Sequence, residues 1–324
     1  QFTPNEDCFG KYLVVGAKKI ENLRYGENPH QNAAFYQELL TEEANLGAGK
    51  LLSGKELSYN NLIDLEAALN IIKDFDEPTV TFIKHTNPCG LATAETIEEA
   101  YQKAYEGDPL SAYGSIVGIN RRVEDKIARL IDETPFIEAI VAPSYSKKAL
   151  EIICKKKNRR LIEAGDLRSQ DRYLKDIKKI AGGFLVQDRD LKNITPADIK
   201  IVTKREPDIE DIKELLLAWK MVKHVKSNAI VLAKNKQLIG AGAGQMSRVD
   251  SVQIAVKKAD IRAKDSYLAS DAFFPFADGV EEAAKAGIKA IIQPGGSKRD
   301  QEVIETANLF NLIMVFTGYR SFKH

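Results

Sequence analysis

Short β-branched runs alternate with amphipathic stretches along most of this chain. Apolar residues recur at helical spacing over 62–72, a compact β-branched run follows at 79–83, and the helical period returns over 94–105. Strands are predicted at 115–119 and 139–142, with a helix around 147–155. The same rhythm then comes back: strand 229–233, turn 235–237, strand 238–240, helix 249–257, strand 267–270, helix 280–286 and strand 290–293. Alternation of this kind predicts an α/β fold built in layers, with two sheet-centred halves. Residues 159–211 are highly charged, with short apolar runs at 179–186 and 200–203, and read as connecting structure. The boundary is placed near 180, giving a first unit over 1–180, with the N-terminal segment and part of the connector, and a second over 181–324. No low-complexity tract or short-period repeat is visible.

Composition narrows the function classes. The 324 residues make about two domains at ~150 residues each. Lysine plus arginine number 47 against 46 aspartate plus glutamate, a formal net charge of +1, so an extended nucleic-acid groove or an anionic membrane surface is not expected. An anionic ligand must then be met by a local cluster of cations. No run approaches the ~18 apolar residues of a membrane span, and residues 1–10 have neither a basic nor an apolar leader region. A cytoplasmic protein is expected. Cys8, Cys89 and Cys154 form no CxxC pair, so neither a disulfide framework nor a thiolate zinc site is predicted, and a reducing compartment fits. The chain does not begin with Met, in keeping with removal of an upstream segment.

Chemistry concentrates at strand ends. Lys84 and His85 follow the predicted strand 79–83 and precede Asn87-Pro88-Cys89-Gly90, read as a tight turn. A lysine beside a histidine depresses the imidazole pKa and leaves a proton acceptor at neutral pH. Taken alone, the pair reads first as a solvated strand-end lysine beside a histidine bonded to the turn. Arg24 and Tyr25, in the loop Leu23-Arg24-Tyr25-Gly26-Glu27-Asn28-Pro29-His30-Gln31, suit a phosphate or a structural turn equally. The run Gly240-Ala241-Gly242-Ala243-Gly244-Gln245 lacks the last glycine of a dinucleotide loop and is read as close backbone approach to a ligand at a helix N-terminus, or as a plain turn. In Ser270-Asp271-Ala272-Phe273-Phe274-Pro275-Phe276-Ala277-Asp278, Phe274 is expected in the core and at least one other ring in a loop, beside Asp278. Pro294-Gly295-Gly296-Ser297-Lys298 is a strand-end turn, and the tail from Thr317 to His324 either frays or docks.

Taken in order, LRYGENPHQ, YNNLIDLEAA, IKHTNPCG, DPLSAYG, KSNAIV, GAGQMSR, SDAFFPFAD, PGGSKRD and the final TGYR-x-F-x-H resemble the aminoimidazole carboxamide ribonucleotide (AICAR) transformylase domain of bifunctional purine-biosynthesis enzymes, from about residue 23 to 324. The resemblance implies two cytidine-deaminase-like α/β/α units in tandem and a homodimer with shared active sites. It also implies formyl transfer from 10-formyltetrahydrofolate, a folate co-substrate, to the 5-amino group of AICAR. Carried over position by position, Lys84, His85 and Asn228 are catalytic. Arg24, Tyr25, Lys157 and Arg320 surround the nucleotide phosphate, Asn61, Gly114, Glu138, Asn228 and Phe273 the rest of the nucleotide, and His324 also binds AICAR. Arg248, Val249, Asp278, Ser297 and Lys298 face the folate. Glu138 stands where some members carry a shorter carboxylate, and Tyr113 where many carry phenylalanine. In this family the transformylase usually follows an inosinate cyclohydrolase domain, and only some twenty residues precede LRYG. No cyclohydrolase activity is therefore expected of the chain, and a separate cyclohydrolase is a conceivable partner. A structural monovalent cation held by carbonyls is compatible with the family.

Two rivals are weaker. A zinc hydrolase on a deaminase-like fold needs PCxxC, and Cys89 has no second cysteine nearby, so no metal is expected in the chemistry. A binding subunit without turnover is argued against by the retention of Lys84, His85, Asn228 and Arg320.

Overall fold

A computed structural model of the chain describes residues 9–39, 41, 43–168 and 174–324; Cys8 and most of the leading segment lie outside the described residues. The first half runs β1 (Ala17–Leu23), β2 (Ala33–Glu38), β3 (Lys50–Ser53), α1 (Tyr59–Lys73), β4 (Thr79–Lys84), β5 (Asn87–Thr93), α2 (Ile97–Gly107), α3 (Pro109–Ala112), β6 (Ser115–Ile119), α4 (Asp125–Glu133), β7 (Ile137–Ala142), α5 (Lys147–Ile153) and β8 (Arg160–Glu163). After β9 (Lys175–Ile180) and β10 (Gly183–Asp188), the second half runs β11 (Lys200–Ile201), α6 (Ile209–Val222), β12 (Ile230–Lys234), β13 (Gln237–Gly242), α7 (Arg248–Ala259), β14 (Tyr267–Ser270), α8 (Asp278–Lys285), β15 (Ala290–Gln293), α9 (Asp300–Leu309) and β16 (Ile313–Phe316).

Among the described residues, one mixed twelve-stranded sheet has the order β11-β16-β15-β14-β12-β13-β5-β4-β6-β7-β8-β3, and β1-β2 and β9-β10 form separate ribbons. That order is two like units back to back. Each has an antiparallel hairpin (β4-β5, β12-β13) and a strand antiparallel to its first arm (β6, β14). Two more parallel strands follow (β7 and β8, β15 and β16), and the unit's opening strand closes the outer edge (β3, β11). β13 meets β5 antiparallel at Gln237 and Ala92, joining the units into one sheet. The repeat has a period of about 150 residues, too long and too diverged to show as a sequence repeat.

Local chemistry explains the duplication. α1 opens with a reciprocal cap in which Ser58 Oγ accepts from Asn61 N–H and Asn61 Oδ1 accepts from Ser58 N–H, both at 3.1 Å. Asp208 and Asp211 repeat it at the start of α6. α1 and α6 share one face of the sheet through a common apolar cluster that includes Leu65, Leu69, Leu215 and Trp219. The other face is covered by α2, α4 and α5 in one half and by α7, α8 and α9 in the other. The central strands are therefore buried on both sides, which is why they read as unbroken apolar runs.

Three expectations change. Asn87-Pro88-Cys89-Gly90 is not the turn: His85 and Thr86 make it, with φ of 50° and 65°, and Asn87 already belongs to β5. Pro88 is accommodated beside a register shift at Phe82/Ile83. The glycines of Gly240–Gly242 face a helix rather than a ligand, because a Cβ on Gly242 would stand 1.9 Å from Ser251 O and one on Gly240 2.2 Å from Ala255 O, both in α7. Finally, the charged stretch 159–211 is not mere connection; it holds β8, the β9-β10 ribbon, β11 and the start of α6.

Candidate active site

Strand directions gather the candidate residues. Because β4, β13, β14, β15 and β16 run one way and β5, β6, β7, β8 and β12 the other, the carboxyl ends of the first set and the amino ends of the second share one edge of the sheet. Lys84 and His85 leave β4 there. Gly114, Glu138, Lys157 and Asn228 stand at the starts of β6, β7, β8 and β12. Arg248 and Val249 follow β13, Phe273 and Asp278 follow β14, Ser297 and Lys298 follow β15, and Arg320 and His324 follow β16. Asn61 opens α1 beside them. Arg24 and Tyr25 lie in the β1-β2 loop, which is tied to α1 where Asn60 Nδ2 donates to Glu27 O at 3.3 Å.

In the first half, Lys84 Nζ donates to Tyr113 O at 2.7 Å. A Cβ on Gly114 would stand 3.3 Å from that ammonium and 3.3 Å from the Phe136 ring, so glycine leaves Lys84 its room. His85 is exposed. Both turn residues are left-handed, a conformation that costs a β-branched residue such as Thr86 about 1–2 kcal/mol. Thr86 N–H donates to Asp64 Oδ1 at 2.6 Å, which offsets that strain. Burial raises the Asp64 pKa above the usual carboxylate range, against the opposing pull of the Thr86 and His85 backbone and of the His85 charge. Glu138 Oε1 accepts from Asn61 Nδ2 at 2.9 Å and faces Arg160 Nη1 at 3.4 Å.

In the second half, Asn228 is held on every side. Its Oδ1 accepts from Arg248 Nη2 at 2.7 Å, and its Nδ2 donates to Gln245 O at 2.9 Å and Met246 O at 3.1 Å. Arg248 also reaches Ser270 Oγ at 2.8 Å and pairs with the fully buried Asp271. The tail docks: Ser227 N–H donates to Lys323 O at 2.9 Å and Ser321 N–H to Asp271 O at 2.9 Å. The halves meet where Lys226 N–H donates to Asn87 Oδ1 at 3.0 Å, tying the residue after the His85 turn to the residue two before Asn228. They meet again at Asp74, which accepts from His224 Nε2 at 2.8 Å and Lys223 Nζ at 3.0 Å.

Most of the remaining candidates are exposed and available to a ligand, and Tyr25 is half-buried. Arg24 stacks on Tyr25 at 4.8 Å, Arg320 stacks on Phe322 at 4.9 Å, and His324 packs on the same Phe322 ring at 5.5 Å. Lys157, Phe273, Asp278 and Lys298 are exposed, Phe274 is core as expected, and Ser297 and Val249 are half-buried. Sequence reasoning passed over Asp64, Asp271, Ser227 and Arg160. Asp64 lies three residues after Asn61, on the same helix face, and that spacing was the available signal. Among the described residues, no group of three or more His, Cys, Asp and Glu side chains is placed to hold a metal ion. Among the described residues no helix is long and apolar enough to cross a membrane.

An exposed imidazole, an anchored ammonium and a carboxamide at one sheet edge, ringed by arginines and lysines, suit proton transfer on an anionic substrate. The family model described as the AICARFT/IMPCHase bienzyme matches residues 2–258. The bifunctional purine biosynthesis protein PurH of Oceanobacillus iheyensis is 49% identical over 319 residues, 98% of this chain and 62% of that protein. The PurH proteins of Acetivibrio thermocellus (50% over 320 residues, 98% and 62%) and Halalkalibacterium halodurans (52% over 312 residues, 96% and 61%) are similar. The chain thus spans about three fifths of the length of these curated relatives, 62% of the first two.

Proposed function

The chain belongs to the AICARFT/IMPCHase bienzyme family, and from that premise we propose that it transfers the formyl group of 10-formyltetrahydrofolate to the 5-amino group of AICAR, giving formyl-AICAR and tetrahydrofolate. The observation that carries the reading is the Lys84-His85 pair: an exposed imidazole next to an ammonium anchored on Tyr113 O, on the sheet edge that also bears Asn228.

The residue types fit the reaction. The 5-amino lone pair is delocalised into the imidazole and carboxamide, so a base must take its proton as it attacks the formyl carbon; His85 has that role. A new C–N bond forms to AICAR, the carbonyl oxygen gains negative charge, and the bond from carbon to folate N10 then breaks. Lys84 stabilises the oxyanion, Asn228 is a neutral hydrogen-bond partner beside it through the acceptor Oδ1, and the proton taken from the amine ends on N10. Arg24, Tyr25, Lys157 and Arg320 hold the phosphate, Asn61, Gly114, Glu138, Asn228 and Phe273 the remainder of the nucleotide, His324 also binds AICAR, and Arg248, Val249, Asp278, Ser297 and Lys298 hold the folate. A structural monovalent cation is compatible with this scheme and takes no part in it.

The two like halves support a tandem of cytidine-deaminase-like units, with the β9-β10 ribbon spanning the boundary read near residue 180. The ribbons support a homodimer with shared sites. An isolated two-stranded ribbon is marginal in water, and β9-β10 exposes Ile180, Phe184 and Leu185, while Tyr12, Leu13, Val14 and Val15 are exposed just before β1. A second copy of the chain covers these side chains, in a cytoplasmic enzyme without nucleic-acid or membrane partners.

Incubating the protein with AICAR and 10-formyltetrahydrofolate and following tetrahydrofolate release tests the proposal. Release that depends on both nucleotide and protein is expected; a rate no higher than without protein refutes it.

A further inference from the structure

We propose that Asp64 positions His85 for proton transfer by clamping the turn that carries it, a role that rests on the formyl-transfer reading. The fold supplies its own comparison. In the second half the counterpart hairpin turns at Asn235 and Lys236, with φ of 54° and 62°, against 50° and 65° at His85 and Thr86. Its lysine is anchored alike: Lys234 Nζ donates to Lys264 O at 2.6 Å, as Lys84 Nζ does to Tyr113 O. Its clamp is alike as well, since Lys236 N–H donates to Glu214 Oε1 at 3.0 Å, as Thr86 N–H does to Asp64 Oδ1 at 2.6 Å.

The residues in the turn differ. Asparagine and histidine both tolerate the left-handed first position, but the β-branched Thr86 at the second does not, where the counterpart turn has Lys236. A local rule broken where a proposed general base sits points to a function served by the break. The turn in the first half therefore leans harder on its carboxylate clamp from α1, beside the bond that Asn87 Nδ2 donates to His85 O at 3.0 Å. The direction of the His85 ring follows from that hold. Glu138, the other acid on this side, is engaged by Asn61 and Arg160, which leaves Asp64 as the carboxylate on the turn itself.

The test uses the full chain with AICAR and 10-formyltetrahydrofolate. Asp64→Ala lowers kcat by roughly 10- to 100-fold, the scale of an ångström-sized misplacement, with KM for AICAR within about 3-fold. Asp64→Asn keeps an oxygen to accept from Thr86 N–H and stays within about 5-fold of wild type. Thr86→Gly makes the turn self-sufficient, so adding Asp64→Ala to it costs less than about 5-fold, a rescue that a general fold defect would not show. Glu214→Ala breaks the same clamp in the half that carries no histidine and leaves kcat within about 2-fold. Wild-type kcat in Asp64→Ala, a loss that neither Asp64→Asn nor Thr86→Gly recovers, or an equal loss in Glu214→Ala overturns the proposal. A wild-type protein without formyl transfer defeats the functional reading instead. In that case the His85 imidazole resonances still decide the clamp: displaced in Asp64→Ala and restored in Asp64→Ala/Thr86→Gly if it holds, unmoved in both if it does not.

Discussion

Replacing Arg248 by methionine removes a charge while keeping much of the side chain's length. Arg248 is 7% exposed and Asp271 0%, so the variant leaves a buried carboxylate facing only the Ser227 hydroxyl and strips Asn228 Oδ1 of its donor. Breaking a buried pair from one side costs about 3–5 kcal/mol. At ~2.1 cal/mol/K of unfolding entropy per residue over 324 residues, that lowers Tm by roughly 4–8 °C. A second substitution, Asp271→Leu, removes the stranded charge and recovers most of the loss, because an apolar pair replaces an ionic one at little net cost. Circular dichroism during heating and urea titration of the single and double variants measures both effects. If Arg248→Met melts within about 1 °C of wild type, or the double variant is less stable than the single, the pair does not lock this edge. A rise in KM for the folate on an undamaged fold would instead assign Arg248 mainly to the ligand.

Lys84→Ala lowers the chemical rate by roughly 10²- to 10³-fold and His85→Ala by about 10²- to 10⁴-fold, whereas Arg320→Ala mainly weakens AICAR binding; single-turnover kinetics and calorimetry separate the three. Gly242→Ala places a methyl 1.9 Å from Ser251 O and costs at least the ~1–3 kcal/mol of overpacking, read from the urea midpoint. Burial opposes ionisation of Asp74, but His224 and Lys223 outweigh it and hold the folded pKa below the usual value. The stability Asp74 adds is thus present above about pH 4 and lost as pH falls below it, so Asp74→Asn flattens the decline of the urea midpoint there. Exhaustive chelation leaves turnover intact: burial pushes the Cys89 thiol up to about 12, and a thiol kept protonated is a poor zinc ligand. Activity lost on chelation and restored by zinc alone contradicts this.

The sequence was most legible where burial on both faces forced a single composition. β6, β12, β14 and β15 are short, mostly apolar runs with no alternation, β4 mixes two buried threonines into its apolar run, and each was located nearly to the residue. α6 escaped notice although Leu215, Ala218, Trp219 and Val222 form a helical stripe, because Leu216, Leu217 and Met221 blur that stripe and the helix starts at the end of the charged stretch 159–211. The glycines of Gly240–Gly242 were ambiguous for a physical reason. A ligand and a helix backbone both demand a missing Cβ, and only the position of Ser251 O says which one is there. Asp64 was invisible as a partner of Thr86 because the contact is made through space between α1 and the hairpin, while residue spacing reports only shared faces of one element.

Duplication also explains why the chemistry gathers at one edge. At the opposite edge Asp211 stands where the first half has Asn61, Glu214 for Asp64, Lys234 for Lys84 and Lys289 for Glu138. There Asp211 pairs with Lys289 and accepts from the Tyr267 hydroxyl at 2.7 Å, while Lys234 closes on Lys264 O. Burial and the Asp211 charge push the Tyr267 pKa up to about 12, and the hydrogen bond to Asp211 raises that of Lys289. Asp211, Tyr267 and Lys289 are each stabilised in the state they already occupy at neutral pH, so none of the three is poised to exchange a proton. At the first edge an amide replaces that aspartate and an acid replaces that lysine, which leaves Glu138 to Asn61 and Arg160 and an exposed histidine in a strained turn. Self-satisfied groups contribute stability; an exposed base in a strained turn costs it. Two copies of one unit let the second edge hold the sheet together while the first keeps its reactive groups open.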